Sequence, residues 1–347
     1  MKSNESKMTL KEADAASVAK ILSAAVGEYL DPQKPRANVV GMGLGVKWKN
    51  GEPTGEPALV VLVTHKVPQD HLTTADLVPL KLQETQTDVL AVGYPFAGGG
   101  DGAGIQTLTK RIRPAKGGYS VGHKNITAGT IATSVYKILP GGSTNPPVHG
   151  VGIPPKYYIL SNNHVLANSN AGAIGDAVLQ PGPFDGGVDP ADRIATLTSF
   201  VPITFNPPVP LAQHNNLVDC AIAEGQFHDL DREIYWNCCV RGWRRKALVT
   251  VGTVVKKTGR TTNFTTGKIT VIGATIDVNY GGGRVARFKD QIVTTNMSAG
   301  GDSGSLVLTL DNVAVGLLFA GSATAMIANQ IENVRSLLQV EVAEQIL

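Results

Sequence analysis

A mainly β protein with a small α/β unit at its N-terminal end is the fold class this sequence predicts. Three observations carry that prediction. The 347 residues include 39 Gly and 20 Pro but only 5% aromatics, a composition of many turns between short segments. From Gly117 onward, apolar β-branched runs of strand length recur between those turns, and no helical pattern is long enough for a βαβ crossover. Ahead of Gly117 the period differs, with one amphipathic helix followed by strands. A chain that is 42% hydrophobic and 17% charged folds rather than staying disordered. Its length exceeds one small core and suits two or three units.

In chain order, Thr9 to Leu30 places Ala15, Val18, Ala19, Ile21, Leu22, Ala25 and Val26 at helical spacing, and Asp31-Pro32 ends the run. Strands are expected over Val39 to Lys47 and Ala58 to Thr64, a short helix over Thr73 to Val78, and a strand over Asp88 to Val92. These make an α/β domain over 1–97. Gly98-Gly99-Gly100-Asp101-Gly102-Ala103-Gly104 is then the clearest boundary. No Gly-Lys-Ser/Thr follows it, so a flexible linker over 98–118 is expected rather than a phosphate loop. The main domain, 119–347, has strand candidates at Ala128 to Tyr136, Tyr157 to Leu160, Ala177 to Gln180, Ile194 to Val201, Ala221 to Glu224, Leu248 to Lys256, Gly267 to Val278, Phe288 to Thr295, Ser305 to Leu310 and Ala314 to Phe319. Such a series suits barrels or sandwiches. Ala325 to Ile346 returns to helical spacing, and a C-terminal helix packed on the barrel is expected. An oligomer contact on that helix is the alternative, so a homo-oligomer stays open.

A net charge of +3 and the absence of a dense basic tract argue against a nucleic-acid partner. The nearest cluster, Arg241 to Lys246, is read as a solvated strand end. No stretch reaches the roughly 18 apolar residues of a membrane helix, so no membrane partner is expected. Lys11, Glu12, Asp14 and Lys20 interrupt any signal-peptide core, and a cytoplasmic location is expected. The three cysteines, Cys220, Cys238 and Cys239, form no disulfide framework and lack zinc-ligand spacing. No metal and no organic cofactor are expected.

Three segments carry chemistry. Gly300-Gly301-Asp302-Ser303-Gly304-Ser305 reads as a tight turn entering a strand, which exposes a serine hydroxyl. Serine is a poor nucleophile unless a base takes its proton, and that base needs a partner to fix its tautomer. Histidine, with a pKa of about 6.5, is the natural base. Of seven histidines, only His164 follows a strand-like run (Tyr157 to Leu160) and heads another (Val165, Leu166). Asp219 opens the apolar run through Ile222. Asp176, Asp185, Asp189 and Asp192 are rivals, but they sit amid Gly and Pro where turn capping is their expected role. His164, Asp219 and Ser303 are therefore the candidate base, orienter and nucleophile. The N–H groups of Gly301 and Ser303 are the candidate oxyanion donors.

These segments resemble the chymotrypsin-like (trypsin-type) serine endopeptidases. Gly301-Asp302-Ser303-Gly304-Ser305 is similar to that family's Gly-Asp-Ser-Gly-Gly motif. Ser161-Asn162-Asn163-His164-Val165 is similar to a Thr-Asn-Asn-His-Val histidine motif of bacterial stress proteases. Val218-Asp219-Cys220-Ala221-Ile222 is similar to the family's aspartate segment. Thr258-Gly259-Arg260-Thr261-Thr262 resembles a Lys-x-Gly-Arg-Thr-Thr hairpin of bacterial members. The resemblance spans about Ser120 to Asn333 and leaves the N-terminal unit outside. In layout the chain also resembles a bacterial and plant subgroup with an extra N-terminal domain.

The resemblance implies two antiparallel six-stranded β-barrels and hydrolysis of a protein or peptide substrate through an acyl-enzyme. It implies that Met297 lies at the base of the pocket for the residue before the scissile bond, with no acidic neighbour, so that an apolar or small residue is preferred. It implies a substrate-binding wall strand at Phe319, Ala320 and Gly321. Core packing is the alternative for Met297 and Phe319. Ser305 and Leu306 depart from the family's Gly and Pro. Two other functions stay open: a catalytically silent or latent peptide-binding module on the same fold, and an esterase with the same triad. The N-terminal domain is expected to serve regulation or assembly, or to act as a prosegment.

Overall fold

The computed structural model describes residues 12–29, 36, 39–49, 52–63, 65–72, 76–91, 108–126, 128–250, 253–322 and 325–347. The chain divides into two compact units, Met1–Ala103 and Gly104–Leu347. In the first, the expected amphipathic helix runs from Glu12 to Tyr29. The sheet orders its strands Val39–Lys49, Glu52–Val63, Thr85–Ala91 and Lys81–Leu82. The outer hairpin is antiparallel, while Glu52–Val63 and Thr85–Ala91 run parallel. Val18 and Ala25 of the helix bury against Leu59, with Ile21, Leu22 and Met42 beside them. The short helix expected over Thr73 to Val78 falls partly outside the described residues, and its described part, 76–78, is turn and irregular chain. The Gly-rich run of 98–104 also lies outside the described residues.

The second unit is mainly β, as the sequence predicts. Two circuits of hydrogen-bonded strands build it. In the first circuit, Tyr157–Ser161 pairs with Thr133–Lys137 and with Ala221–Gly225. Ala221–Gly225 pairs with Arg193–Phe200, which pairs with Ala177–Leu179, which pairs with Ser120–His123. Ser120–His123 then meets Gly129–Thr130. That strand continues through Ile131 and Ala132 into Thr133–Lys137, with Ile131 N–H bonded to Tyr119 O at 2.9 Å and Ala132 N–H to Leu160 O at 2.9 Å. The circuit thus returns on itself. In the second circuit, Val254–Gly259 lies between Asn263–Asn279 and Leu306–Thr309. Val285–Thr295, Ala325–Gln330 and Val313–Gly321 complete the way round.

Period-two alternation explains the packing. Ala221 and Ala223 point into the first circuit's core with Val121, Ile159 and Leu197. Cys220 and Ile222 point the other way, into a layer shared with Leu306, Leu308 and Leu317 of the second circuit. Val307, between those leucines, faces the second core with Val255, Ile292 and Leu318. Both faces of Leu306–Thr309 and of the start of Ala221–Gly225 are covered, which is why these segments read as continuous apolar runs.

Four expectations need correction. The helix expected over 325–346 is confined to Ile331–Leu338, because Ala325–Gln330 pairs on both edges as a buried strand and Val340–Glu341 pairs with Thr133–Lys137. Residues 108–118 are not linker. Leu108 is fully buried, and Ala115–Gly117 pairs in parallel with Leu230–Ile234. The strand expected from Leu248 begins at Val254, after a 3-10 turn at Lys246–Leu248. His164 heads no strand; it lies within a single helical turn, Asn163–Leu166.

Candidate active site

The helical turn that carries His164 is pinned by Val165 and Leu166, both buried in the first core. The imidazole stays 24% exposed, whereas the Asp219 side chain is fully buried. His164 Nδ1 is 2.7 Å from Asp219 Oδ2, and the His164 backbone N–H donates to Oδ1 at 3.1 Å. A carboxylate only accepts, so Nδ1 carries the ring proton and Nε2 presents its lone pair. Both circuits lock the aspartate. Asn162 Nδ2 donates to Asp219 O at 2.7 Å, and Asp219 N–H donates to Asn329 Oδ1 at 3.0 Å. Asn329 Nδ2 in turn donates to Gln291 Oε1 at 2.8 Å.

Tyr280, which the sequence did not single out, supplies a third donor to Asp219. Its hydroxyl donates to Oδ2 at 2.7 Å. The phenol ring meets the imidazole edge-on, with centroids 6.0 Å apart. Burial pushes the phenol pKa well up, and the Asp219 carboxylate adds to the shift, so the hydroxyl keeps its proton. Tyr280 directly follows the strand Asn263–Asn279, a long hairpin arm that brings its hydroxyl to the aspartate. The only sequence signal for it is an aromatic residue directly before three glycines.

The Ser303 turn is built around a buried carboxylate. Asp302 is fully buried and accepts from Lys257 Nζ at 3.0 Å, Thr262 Oγ1 at 2.6 Å, and the N–H groups of Thr261, Thr262 and Ala299 at 2.8, 3.1 and 3.0 Å. Burial opposes the charges of both partners. It pushes the Lys257 ammonium down, while Lys257 and the hydrogen bonds hold the Asp302 carboxyl below its ordinary value against the same burial. Gly301 and Gly304 adopt φ of +94° and +96°, the left-handed region. At Gly304 a Cβ would also lie 2.1 Å from Ser161 Oγ and 2.2 Å from Thr130 O. Thr130 of the first circuit grips the turn from outside, donating its N–H to Ser303 O at 2.7 Å and its Oγ1 to Gly301 O at 2.9 Å. Among the described residues, the N–H groups of Gly301 and Ser303 have no acceptor.

His164 and Asp219 therefore touch directly, and Gly129 packs between Val165, the residue after His164, and the backbone of Ser303. A Cβ at Gly129 would sit 2.4 Å from Val165 Cγ2 and 2.9 Å from Ser303 O. Among the described residues no hydrogen bond joins the Ser303 hydroxyl to His164. The rival carboxylates have other partners: Asp176 pairs with His123 and Lys124, Asp185 with Arg260, Asp189 with Arg193 and Asp192 with Arg111. Met297 is buried in the second core, and its carbonyl accepts from Thr265 Oγ1 at 2.6 Å. Phe319 is also buried, its ring 4.7 Å from that of Phe288, whereas Ala320 is half-buried and Gly321 exposed. Among the described residues, no three His, Cys, Asp or Glu side chains cluster closely enough to hold a metal ion, and no helix is long and apolar enough to cross a membrane.

No protein-family model matches the chain, and no curated protein matches it. Solved structures similar to it include Thermobifida fusca protease A, at 16% identity over 66% of this chain and 98% of that one, with a TM-score of 0.44. Cellulomonas bogoriensis chymotrypsin is similar at 16% identity, 66% and 98% coverage and a TM-score of 0.43. Nocardiopsis protease is similar at 14% identity, 65% and 97% coverage and a TM-score of 0.43.

Proposed function

We propose that this protein is a serine endopeptidase, and that the two closed strand circuits are the six-stranded barrels of a chymotrypsin-like hydrolase. The observation that carries the proposal is the His164–Asp219 hydrogen bond; it is supported by a Ser303 turn whose two left-handed glycines leave the Gly301 and Ser303 N–H groups without an acceptor among the described residues. In this mechanism His164 Nε2 takes the proton of Ser303 Oγ as the oxygen bonds to the substrate carbonyl carbon. Negative charge moves to the carbonyl oxygen, where the two free N–H groups receive it. The C–N bond then breaks, and the leaving amine takes its proton from His164. Water repeats the sequence on the acyl-enzyme, releasing the acid and restoring Ser303. No metal or organic cofactor enters any step. With Met297 and Phe319 packed into cores, their side chains shape the substrate pocket from behind, and the exposed backbone at Ala320 and Gly321 is left to pair with an extended peptide.

A second function, a latent or silent peptide-binding module, is favoured by the missing Ser303–His164 hydrogen bond. Hydrolysis of an internally quenched peptide library by wild type, compared with Ser303→Ala, separates the two. Ser303-dependent cleavage is expected. Binding of peptides by both proteins with cleavage by neither would favour the module, and turnover of small esters alone would favour an esterase.

Tyr280 acts in this mechanism as a positioning residue. Its hydroxyl shares the charge of Asp219, and a hydrogen bond to a charged acceptor is worth about 1.5–3 kcal/mol. Tyr280→Phe is therefore expected to lower kcat/KM on the order of 10- to 100-fold. The loss should fall on kcat with KM unchanged, because the Tyr280 hydroxyl bonds Asp219 rather than the substrate. A change confined to KM would reduce Tyr280 to a packing residue.

A further inference from the structure

A groove of about 570 Å³ opens beside the candidate active site, lined by Ser169, Asn170, Thr204, Phe205, Pro208 and Arg284 among others. Its walls are pinned by the residues that flank the candidate triad. Asn163, the neighbour of His164, donates Nδ2 to Asn170 Oδ1 at 2.7 Å, and Asn170 Oδ1 also accepts from Ile203 N–H at 2.9 Å. Asn216, three residues before Asp219, clamps Thr204 through both its N–H and its carbonyl, at 2.8 and 3.0 Å. Phe205 meets the Tyr280 ring edge-on at 5.2 Å, and Tyr280 reaches Asp219. Tyr280 alone thus stands between the groove wall and the orienting carboxylate. The fourth wall is the hairpin tip, where Asn206 and Val285 exchange backbone hydrogen bonds at 2.8 and 2.9 Å.

Among the described residues, Arg284 is the one charged side chain lining this groove. Its guanidinium lies over the Phe205 ring, with Cζ 4.9 Å from the centroid, and among the described residues it makes no side-chain hydrogen bond. Other arginines of this unit are matched by carboxylates: Arg193 by Asp189, Arg232 by Glu344, Arg260 by Asp185, Arg287 by Asp277 and Arg335 by Glu341. Among the described residues, Arg284 has no such partner. A planar cation packed on an aromatic ring in the lining of an open groove, with hydroxyl and amide groups around it, is matched in shape and charge to a carboxylate.

Resting on the endopeptidase proposed above, we propose that this groove is a substrate subsite for an acidic side chain of an extended peptide, and that Arg284 recognises it. The substrate class is then a protein segment with Asp or Glu near the scissile bond.

Matched peptide sets carrying Glu, Gln or Lys at each of the four positions on either side of the bond test this. At one position, wild type is expected to cleave the Glu peptide at least 10-fold faster in kcat/KM than its Gln analogue, with the advantage falling as salt rises. Arg284→Ala should erase that advantage, and Arg284→Glu should turn it into a preference for Lys. Equal rates for Glu and Gln at every position in wild type, or a preference that survives Arg284→Ala, would overturn the proposal. Thermal unfolding of both variants identifies any loss that comes from misfolding. If wild type cleaves nothing, the endopeptidase fails but the subsite is still decided. Fluorescent Glu and Gln peptides binding to Ser303→Ala, followed by anisotropy, should then differ at least 10-fold in Kd. Equal Kd values would reject the subsite.

Discussion

Asp219→Asn is expected to lower kcat about 10,000-fold, a barrier increase of roughly 5.4 kcal/mol, while the protein stays folded. In wild type every group facing the Asp219 carboxylate is a donor: His164 Nδ1–H, the His164 backbone N–H and the Tyr280 hydroxyl. An asparagine keeps the shape but must present an N–H on one side. If that N–H faces His164, the ring proton moves to Nε2, and the imidazole can no longer take the proton of Ser303. If it takes the place of Oδ1 instead, it meets the His164 backbone N–H, donor against donor in a buried site. Steady-state kinetics on a cleaved peptide, with circular dichroism as the folding control, checks this. A loss under 10-fold in a folded variant would mean that Asp219 does not set the tautomer of a working base.

The second large effect is on stability. Lys257→Met is expected to destabilise the fold by about 3–5 kcal/mol, because it leaves the Asp302 carboxylate buried without its counter-charge. Both side chains are fully buried, so solvent cannot replace the lost partner. The pH dependence has a definite sign. In wild type the Asp302 carboxyl lies below its ordinary value, so its contribution is present above the unfolded-state pKa of about 3.9 and fades as pH falls through the folded value. In the variant, burial without a partner raises that carboxyl, and protonation relieves the unpaired charge. The difference between wild type and variant in urea unfolding should therefore be largest near neutral pH and shrink toward pH 4. A difference that is flat in pH, or below 1 kcal/mol, would show that Lys257 is not the counter-ion that holds the turn. Because the same carboxylate orders the N–H groups of Thr261, Thr262 and Ala299, the variant should also lose peptide hydrolysis below its melting temperature.

What was legible in the sequence was local. The helix at Glu12–Tyr29 shows its own apolar stripe, and the strands of the main unit show β-branched runs between turns. His164 and Asp219 each end or begin such a run, so their order in the chain suggested the pairing that the fold makes. The C-terminal segment misled because burial on both faces removes the strand signal. Met326, Ile327, Ala328, Ile331, Val334 and Leu338 are all buried, and a covered strand leading into a helix reads as one long helix. The resemblance implies that Met297 and Phe319 lie near the substrate, but which way their side chains turn is decided by the apolar clusters that bury them, which a motif does not encode. Tyr280 lies 61 residues beyond Asp219 in sequence, and only the long hairpin brings it back. Lys257 left a trace that can be used elsewhere: two lysines inside a six-residue strand, Val254–Gly259, are costly to bury unless a carboxylate awaits one of them.

The measurement that bears most directly on the central claim is covalent labelling by a fluorophosphonate probe, located by peptide mass spectrometry. The probe reacts with a serine only where a base activates the hydroxyl and donors receive the developing charge. Wild type is expected to gain one adduct on the peptide containing Ser303. Ser303→Ala should gain none, and His164→Ala should label at least 1,000-fold more slowly, on the order of the loss when a triad member is removed. A folded wild-type protein that takes up no adduct at Ser303, or that labels equally well without His164, would contradict the account.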